Sequence, residues 1–202
     1  MKLINYLLIA ILLISSCKED DAIDAPELSD DYGRGMYVVT DFGVSYLDYI
    51  DPNALIVENV FKKVNSTTIV NPKRIKFYNS KAYILGNRIY IADLATFGAE
   101  SEISGFNNAV DFDFVSHNRL FVVDKGDAQV KVVDLNNMEI TAEIETGEGT
   151  KPTCIVSNYK ESYVLNGGGV PKIKKDSTVI SINYKDGVIP LTDLSGNILV
   201  GD

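Results

Sequence analysis

A short β-type run recurs four times along the chain and restricts the fold more than any other feature of the sequence. Each run joins an aromatic residue to aliphatic neighbours, and the aromatic residues are spaced 46, 38 and 42 residues apart: Tyr37, Tyr83, Phe121 and Tyr163. A repeat of this length is one supersecondary unit that buries its apolar face only against its neighbours. The sequence therefore predicts an array of stacked units.

Further runs complete each unit. After a turn, a second alternating run follows at 44–48, 88–93, 130–134 and 178–182. A third run is clearest at 139–144 and a fourth at 109–115, and Gly, Asn and Asp recur between the runs as hairpin turns require. No helical period of adequate length follows residue 16. These patterns predict an all-β fold, a β-propeller of four-stranded antiparallel blades.

The third unit carries the clearest motif. It reads Arg119 to Asp124, then Gln129 to Asp134, then Met138 to Ile144, followed by Gly147 and by Lys151-Pro152. This order resembles the YVTN-type (YncE-like) β-propeller repeat, and the likeness spans residues 36 to about 165. Residues 36–202 hold about four units at this period, whereas propellers of the YVTN type usually close with about seven. The resemblance therefore implies an incomplete ring of a larger propeller. The alternatives are a rare small ring and a chain that assembles with another copy.

The N-terminus predicts export and lipidation. Residues 3–14 form an apolar run after Lys2, about a dozen residues against the roughly 20 that a spanning helix needs. The run ends in Ser15-Ser16-Cys17, which resembles the bacterial lipobox. We expect residues 1–16 to be a lipoprotein signal peptide and Cys17 to be the lipidated N-terminus; an ordinary secretory signal is the alternative. Cys154 would then stand alone, as a small core residue without a disulfide.

An acidic tether follows Cys17. Residues 17–32 include seven acids and one lysine, a composition that favours an extended linker to blades at 33–202. Lys18-Glu19-Asp20-Asp21 resembles the lipoprotein export signal of Bacteroidota-type bacteria. The resemblance implies an outer-membrane protein facing the cell exterior, with the periplasmic face as the alternative. The net charge of −9 disfavours nucleic acid as a partner.

Catalytic motifs are missing from the sequence. It contains no nucleophile elbow, Walker loop, paired-cysteine motif or EF-hand loop, and His117 is its one histidine. Asp93 and Asp134 follow second strands, where we expect them to cap turns. Asp111 and Asp113 share one strand face, which we expect to be a solvated outer face rather than an acid/base pair. We predict no catalytic residue, no metal and no cofactor.

The loops offer candidates for ligand binding. The usual ligand face of a propeller is built from loops that join the fourth strand to the next first strand and the second strand to the third. The residues predicted there are Tyr78, Asn79, Phe97, His117, Asn118, Asn158 and Tyr159. Tyr offers rigid amphipathic area and Asn offers donors and acceptors, so these loops suit a small polar organic ligand or a protein surface; they are also ordinary turn residues. Ser177, in Asp176-Ser177-Thr178, resembles a Bacteroidota-type glycosylation site.

We therefore expect a non-enzymatic, lipid-anchored binding protein at the cell surface that captures a nutrient or cofactor or assists a transporter. The YVTN-like resemblance extends to surface lipoproteins that capture cobalamin and pass it to a TonB-dependent transporter. The first alternative is a scaffold or adhesion module with a protein partner. The second is a propeller enzyme, which would need convergent polar groups or a metal in its channel.

Overall fold

The computed structural model describes residues 32–48, 56–147, 149–158, 161–167, 178–183 and 187–190. The chain divides into two compact units, residues 1–30 and 31–202, and all described residues lie in the second. The predicted signal peptide, Cys17, nearly all of the acidic tether, Tyr159 and Ser177 lie outside the described residues. Within the described ranges no helix is both long and apolar enough to cross a membrane.

Strands dominate the described residues and form four antiparallel sheets, here called blades 1 to 4. Blade 1 contains β1 (Met36–Thr40), β2 (Gly43–Leu47) and β3 (Ile56–Val57). Blade 2 contains β4 (Arg74–Tyr78), β5 (Lys81–Leu85), β6 (Ile89–Asp93) and β7 (Ala99–Ile103). Blade 3 contains β8 (Ala109–Ser116), β9 (Arg119–Asp124), β10 (Gln129–Asp134) and β11 (Glu139–Glu145). Blade 4 contains β12 (Pro152–Ser157), β13 (Glu161–Asn166), β14 (Thr178–Asn183) and β15 (Gly187–Pro190).

The four-stranded antiparallel blade is confirmed, but the phase of the repeat differs from the prediction. The run at 109–115, predicted as a fourth strand, is β8 and pairs with β9 of the following unit. The two turn residues His117 and Asn118 join these strands, and so short a connection favours a hairpin with the next strand. Each complete blade therefore begins with an edge strand, β4, β8 or β12, which we call its inner strand. The aromatic run is the second strand of the blade.

A short helix, α1 (Val60–Asn65), was not expected from the sequence. Asn59 caps it by accepting a hydrogen bond from the backbone N–H of Lys62, and Val60 and Phe61 are buried. Six residues contain fewer than two helical turns, too short for a periodic apolar pattern to show.

The core lies between the blades. Tyr83 and Leu85 of β5 pack against Phe112, Leu120 and neighbouring side chains of blade 3. A second cluster joins blade 3 to blade 4, through side chains such as Phe121, Val123, Ile155 and Val164. Because side chains alternate along a strand, each blade uses one face for the preceding blade and the other for the following one. Complete burial of a side chain such as Phe112 contributes about 1.5–3 kcal/mol.

Candidate functional site

Tight turns follow the inner strands of blades 2, 3 and 4 at the same end of the sheets. They place Asn79, His117 and Asn158 in corresponding positions, and all three residues are exposed. Asn79 and Ser80 both have positive φ, as a two-residue hairpin turn requires. We call residues 78–80, 117–118 and 158 the inner-turn face. The structure thus brings these residues together at one end. The turns join the first strand of a blade to its second, however, and not the fourth strand to the next first strand as the sequence analysis predicted, so that assignment is wrong.

Aromatic stacking supports the inner-turn face from below. The half-buried ring of Tyr78 stacks on Phe114 with ring centroids 4.6 Å apart, and Tyr83 meets the same ring edge-on at 4.9 Å. Burial raises the pKa of the Tyr83 hydroxyl. An equivalent contact joins Tyr37 of blade 1 to the exposed Phe77 of blade 2 at 5.1 Å. The turns of blades 2 and 3 therefore adjoin packed aromatic rings.

Three of the predicted ligand-face residues, Phe97, Asn118 and Asn158, have structural partners. Asn158 Oδ1 accepts a hydrogen bond from Glu161 N at 2.8 Å. Phe97 is completely buried, and its ring packs against Tyr32, Tyr37 and Phe61. Its positive φ turns the chain back after β6 and directs the ring into the core, so its side chain is not on the loop surface. Asn118 accepts hydrogen bonds from Ser116 Oγ on its side chain and from Leu135 N on its carbonyl, and thereby fixes the turn.

The acidic pair on β8 is not a solvated outer face; that prediction is wrong. Asp111 is 3% exposed and lies 2.8 Å from Arg74 Nε of blade 2. Its second oxygen accepts a hydrogen bond from Ile155 N of blade 4 at 3.0 Å. Asp111 and Asp113 share one face of β8, as the alternation predicted. That face packs against the next blade and is not exposed to solvent.

Asp113, two residues further along β8, has the same kind of partners in blades 2 and 4. Asp113 accepts hydrogen bonds from Lys76 Nζ at 2.8 Å and from Ser157 N at 2.7 Å. The Lys76 ammonium also lies 5.6 Å from the centre of the Phe112 ring. Both carboxylates are thus engaged on two sides, which suits them to joining three blades rather than to moving protons.

The opposite end of the sheets is organised by a carboxylate that the sequence analysis did not single out. Asp124, fully buried at the end of β9, accepts hydrogen bonds from the backbone N–H groups of Asn107, Asn108 and Gly126 at 2.7–3.0 Å. Asn166 holds the corresponding place on β13 and donates to Thr146 O at 3.0 Å. A polar residue after the aromatic run is the signal that would have identified this role, the anchoring of an interblade loop.

A lysine joins blade 2 to this same loop. Lys73 Nζ donates to Asn108 Oδ1 at 3.0 Å and to the carbonyl of Ala109. Burial lowers the pKa of the Lys73 ammonium. Loops joining an outer strand to the next inner strand therefore lie at the end opposite the inner-turn face, and there they are tied down by hydrogen bonds.

The prediction that Asp93 and Asp134 cap turns is confirmed. Asp93 Oδ1 accepts hydrogen bonds from Thr96 N at 2.9 Å and Ala95 N at 3.1 Å. These bonds, with Thr96 as the larger contributor, hold the pKa of Asp93 below its ordinary value. Asp134 Oδ1 accepts from Asn136 N at 2.8 Å. Both residues act on their own loops.

A groove of about 340 Å³ lies between α1 and the outer strands of blade 2. Glu100 and Glu102 line it, but they are paired with Lys81 and Arg88. In the part of the chain that the structure describes, no group of three His, Cys, Asp or Glu residues could hold a metal ion. Cys154 is a half-buried free thiol on β12.

Comparison with known proteins extends these observations. The sequence matches no protein-family model and no curated protein. Its structure is similar to a quinoprotein alcohol dehydrogenase-like protein of Bacteroides thetaiotaomicron, with a TM-score of 0.57 and 15% identity over 76% of this chain and 37% of that chain. It is also similar to hydrazine synthase of Kuenenia stuttgartiensis, with a TM-score of 0.59 and 15% identity over 81% and 50%. A third structure is the β-propeller domain of Cps50 (Swd1) from Myceliophteria thermophila, with a TM-score of 0.44 and 13% identity over 61% and 40%.

The fold is a β-propeller. The repeated four-stranded blades and the first of these structural neighbours both show it. The chain spans about a third to a half of the length of these neighbours. At 15% identity the likeness concerns the fold alone, and a fold does not by itself establish a function.

Proposed function

We propose that this protein is a lipid-anchored binding protein at the bacterial cell surface, and that it captures a small polar organic ligand on the inner-turn face without catalysing a reaction. The arrangement of Asn79, His117 and Asn158 is the single observation that carries the proposal. Three exposed polar side chains recur at one position of three successive blades. The stacked rings of Tyr78 and Phe114 adjoin the turns of blades 2 and 3, and this ring contact is already formed without a ligand.

The chemistry of this face defines the ligand class. Asn79 offers an amide donor and acceptor, and His117 offers an imidazole, while Tyr78 and Phe77 offer aromatic area. A ligand that combines a flat ring with amide or hydroxyl groups complements this set. The YVTN-type resemblance makes cobalamin the first compound to test. Binding without catalysis is supported by the carboxylates nearby, since Asp111 and Asp113 are occupied by cross-blade partners.

Two experiments test the proposal. Native mass spectrometry of the protein, purified from its cells without denaturant, detects a bound ligand by its mass. Calorimetry with cyanocobalamin then measures the heat of binding. The triple variant Asn79→Ala, His117→Ala and Asn158→Ala is expected to lose binding by about tenfold or more. Lys125→Ala, at the opposite end of the sheets, is the matched control and retains binding. An equal loss of binding in the triple variant and in Lys125→Ala argues against a ligand on this face. The absence of both a bound ligand mass and a heat of binding argues against it as well.

The lipid anchor is proposed from Cys17. Its acyl chains contribute about 0.8 kcal/mol per buried methylene, enough together for stable attachment to a leaflet. The protein is expected to partition into the detergent phase, and Cys17→Ala into the aqueous phase. Protease added to intact cells then distinguishes the two faces of the outer membrane. Digestion supports surface display and contact with a transporter; protection supports the periplasmic face.

A scaffold function is the second candidate. Apolar side chains such as Met36, Val38 and Val156 are exposed on the two outermost blades, which favours a protein partner. Retention of a single surface protein by the intact chain, with no small molecule bound, would favour scaffolding over ligand capture.

A further inference from the structure

The groove beside α1 runs along the outer edge of β7, the last strand of blade 2. Four consecutive residues of β7, 99–102, line it together with Phe61 and Asn65 of α1. Consecutive side chains of a strand point to opposite faces, so a groove that touches all four residues follows the strand edge. We call it the edge groove. Blade 2 contacts Tyr37 of blade 1 and Phe114 of blade 3, so the edge groove belongs to neither the first nor the last blade.

One side chain already pairs with this edge as a strand would. Asn65, at the end of α1, donates from Nδ2 to the carbonyl of Phe97 at 3.0 Å, and its Oδ1 accepts from Ala99 N at 2.7 Å. A residue of a neighbouring strand uses its own N–H and C=O in the same way. The fold therefore contains one peptide-like group that pairs with the edge from the side of α1.

Past Asn65, the outer edge of β7 has no main-chain partner within the described ranges. On its other side β7 pairs with β6. Residues 100–103 make no further main-chain hydrogen bond in the part of the chain that the structure describes. An unpaired edge is a template for another strand. At about 3.3 Å per residue, β7 offers roughly 16 Å of edge, the length of an extended segment of about five residues.

The floor of the edge groove is aromatic. The rings of Phe61 and Tyr90 meet edge-on with their centroids 5.6 Å apart. Both side chains are almost completely buried, and Tyr90 donates its hydroxyl hydrogen to Asn87 Oδ1 at 2.9 Å. The two rings are therefore held in place, and they suit an aliphatic side chain laid across them.

The wall of the edge groove is acidic. Glu100 and Glu102 are the only charged side chains among its described lining residues. Each uses one carboxylate oxygen for an ion pair, with Lys81 or with Arg88, and neither of these cations lines the groove. The second oxygen of each carboxylate remains available to a cation. An acidic segment, such as residues 17–32 of this chain, has the wrong charge for this wall.

We propose that the edge groove binds an extended segment of a partner protein that contains lysine or arginine, and that this segment pairs with β7 as an additional strand of blade 2. Its main chain continues the pairing that Asn65 begins. Its cations meet Glu100 and Glu102, and an aliphatic side chain covers the aromatic floor. Strand addition derives affinity from main-chain hydrogen bonds and specificity from alternate side chains. The edge groove shares no residue with the inner-turn face, so this binding is separate from ligand capture there.

Peptide titration of the purified full chain tests strand addition. The probe is a dye-labelled peptide of about seven residues that alternates lysine and valine, and fluorescence anisotropy measures its binding. The wild type is expected to bind this peptide at micromolar concentrations. The same peptide with its main-chain nitrogens methylated keeps its charge but cannot donate to β7, and it should bind about tenfold more weakly or less. Equal binding of the two peptides overturns the proposal, as does no saturation up to about 1 mM.

Charge substitutions locate the peptide. Glu100→Gln combined with Glu102→Gln is expected to weaken binding about fivefold, since two exposed ion pairs with the peptide are lost. Glu139→Gln combined with Glu145→Gln is the matched control. It changes the net charge by the same amount on β11, the edge strand of blade 3, and should leave binding unchanged. An equal loss in both double variants overturns the proposal, because it reports net charge alone.

A bulky substitution tests whether the peptide occupies the groove. Thr67 is exposed and lines the groove, so Thr67→Trp is expected to reduce binding about tenfold or more by filling the space. Thr68→Trp, at the exposed neighbouring position, is the control and retains binding. Circular dichroism confirms that each variant is folded. In hydrogen exchange the peptide should protect residues 99–103 and leave β11 unchanged. Wild-type binding by Thr67→Trp, or equal protection of β7 and β11, overturns the proposal.

Discussion

The carboxylate of Asp111 accepts a hydrogen bond from the backbone N–H of Ile155 at 3.0 Å, across the interface between blades 3 and 4. The other oxygen of Asp111 lies 2.8 Å from Arg74 of blade 2. One buried side chain therefore links three blades. This geometry makes the stability of the array depend on individual polar groups between its sheets as well as on apolar burial.

Asp111→Ala is expected to lower the free energy of unfolding by about 2–4 kcal/mol, because a buried N–H and a guanidinium lose their acceptor. Urea denaturation followed by circular dichroism measures the loss. Asp113→Ala is the matched control, and a smaller loss is expected because Asp113 is more exposed than Asp111. Equal stability of Asp111→Ala and the wild type would show that the cross-blade bonds contribute nothing net.

Asp124→Ala is expected to release the loop at 104–108. Three backbone N–H groups lose their acceptor, which costs about 2–3 kcal/mol and exposes them to exchange. Hydrogen exchange should accelerate at Asn107, Asn108 and Gly126 and remain slow in β10. Asp124→Asn keeps one acceptor oxygen and should give an intermediate result. Unchanged protection in Asp124→Ala would contradict the anchoring role.

Asp93 predicts an acid-dependent loss of local stability. Hydrogen bonds from Thr96 hold its pKa below the ordinary value of 3.8, so the stabilising contribution is complete above that value. The contribution is lost as the pH falls through the lower, folded-state pKa. Asp93→Ala removes it at every pH, so the stability difference between the wild type and this variant should shrink below about pH 4. A difference that is constant from pH 7 to pH 3 would contradict the prediction.

Substitutions of Lys131 and of its acidic partners distinguish the contribution of an ion pair to stability from that of apolar packing. Burial lowers the pKa of its ammonium, but hydrogen bonds to Asp127 and Glu143, at 2.8 and 3.3 Å, outweigh burial and raise it. Lys131→Met leaves two carboxylates that water can reach. The free energy of unfolding, measured by thermal denaturation, should therefore change by less than about 1 kcal/mol. The double variant Asp127→Asn and Glu143→Gln leaves a buried ammonium without a charged partner. It should lower the free energy of unfolding by about 2 kcal/mol. The reverse order of the two effects would refute this account.

The sequence predicted the strands well because side-chain alternation and turn chemistry are local. The aromatic runs around Tyr83 and Phe121 lie on strands, and Asp93 and Asp134 cap turns as their positions at the ends of alternating runs indicate. The phase of the repeat was not predictable in the same way. A period is the same wherever counting begins, and the pairing of β8 with β9 depends on hydrogen bonds between strands.

The candidate site was predicted in part. Asn79, His117 and Asn158 are exposed turn residues at one end, as proximity to strand ends indicates. Phe97 has the same local context, yet its ring is buried among Tyr32, Tyr37 and Phe61. Its burial depends on side chains 36 to 65 residues away in the sequence, which no local pattern reports.

Composition, period and alternation by themselves determined that this chain builds antiparallel blades, because each of these signals is written within a single unit. Only the tertiary structure decided which face of each blade meets a neighbour. Asp111 and Asp113 alternate with Phe112 and Phe114 in any strand, and a solvated or an interblade face fits that pattern equally. The choice rests on the cations of blade 2 and the backbone N–H groups of blade 4, which approach Asp111 and Asp113 only when three separate sheets are packed together.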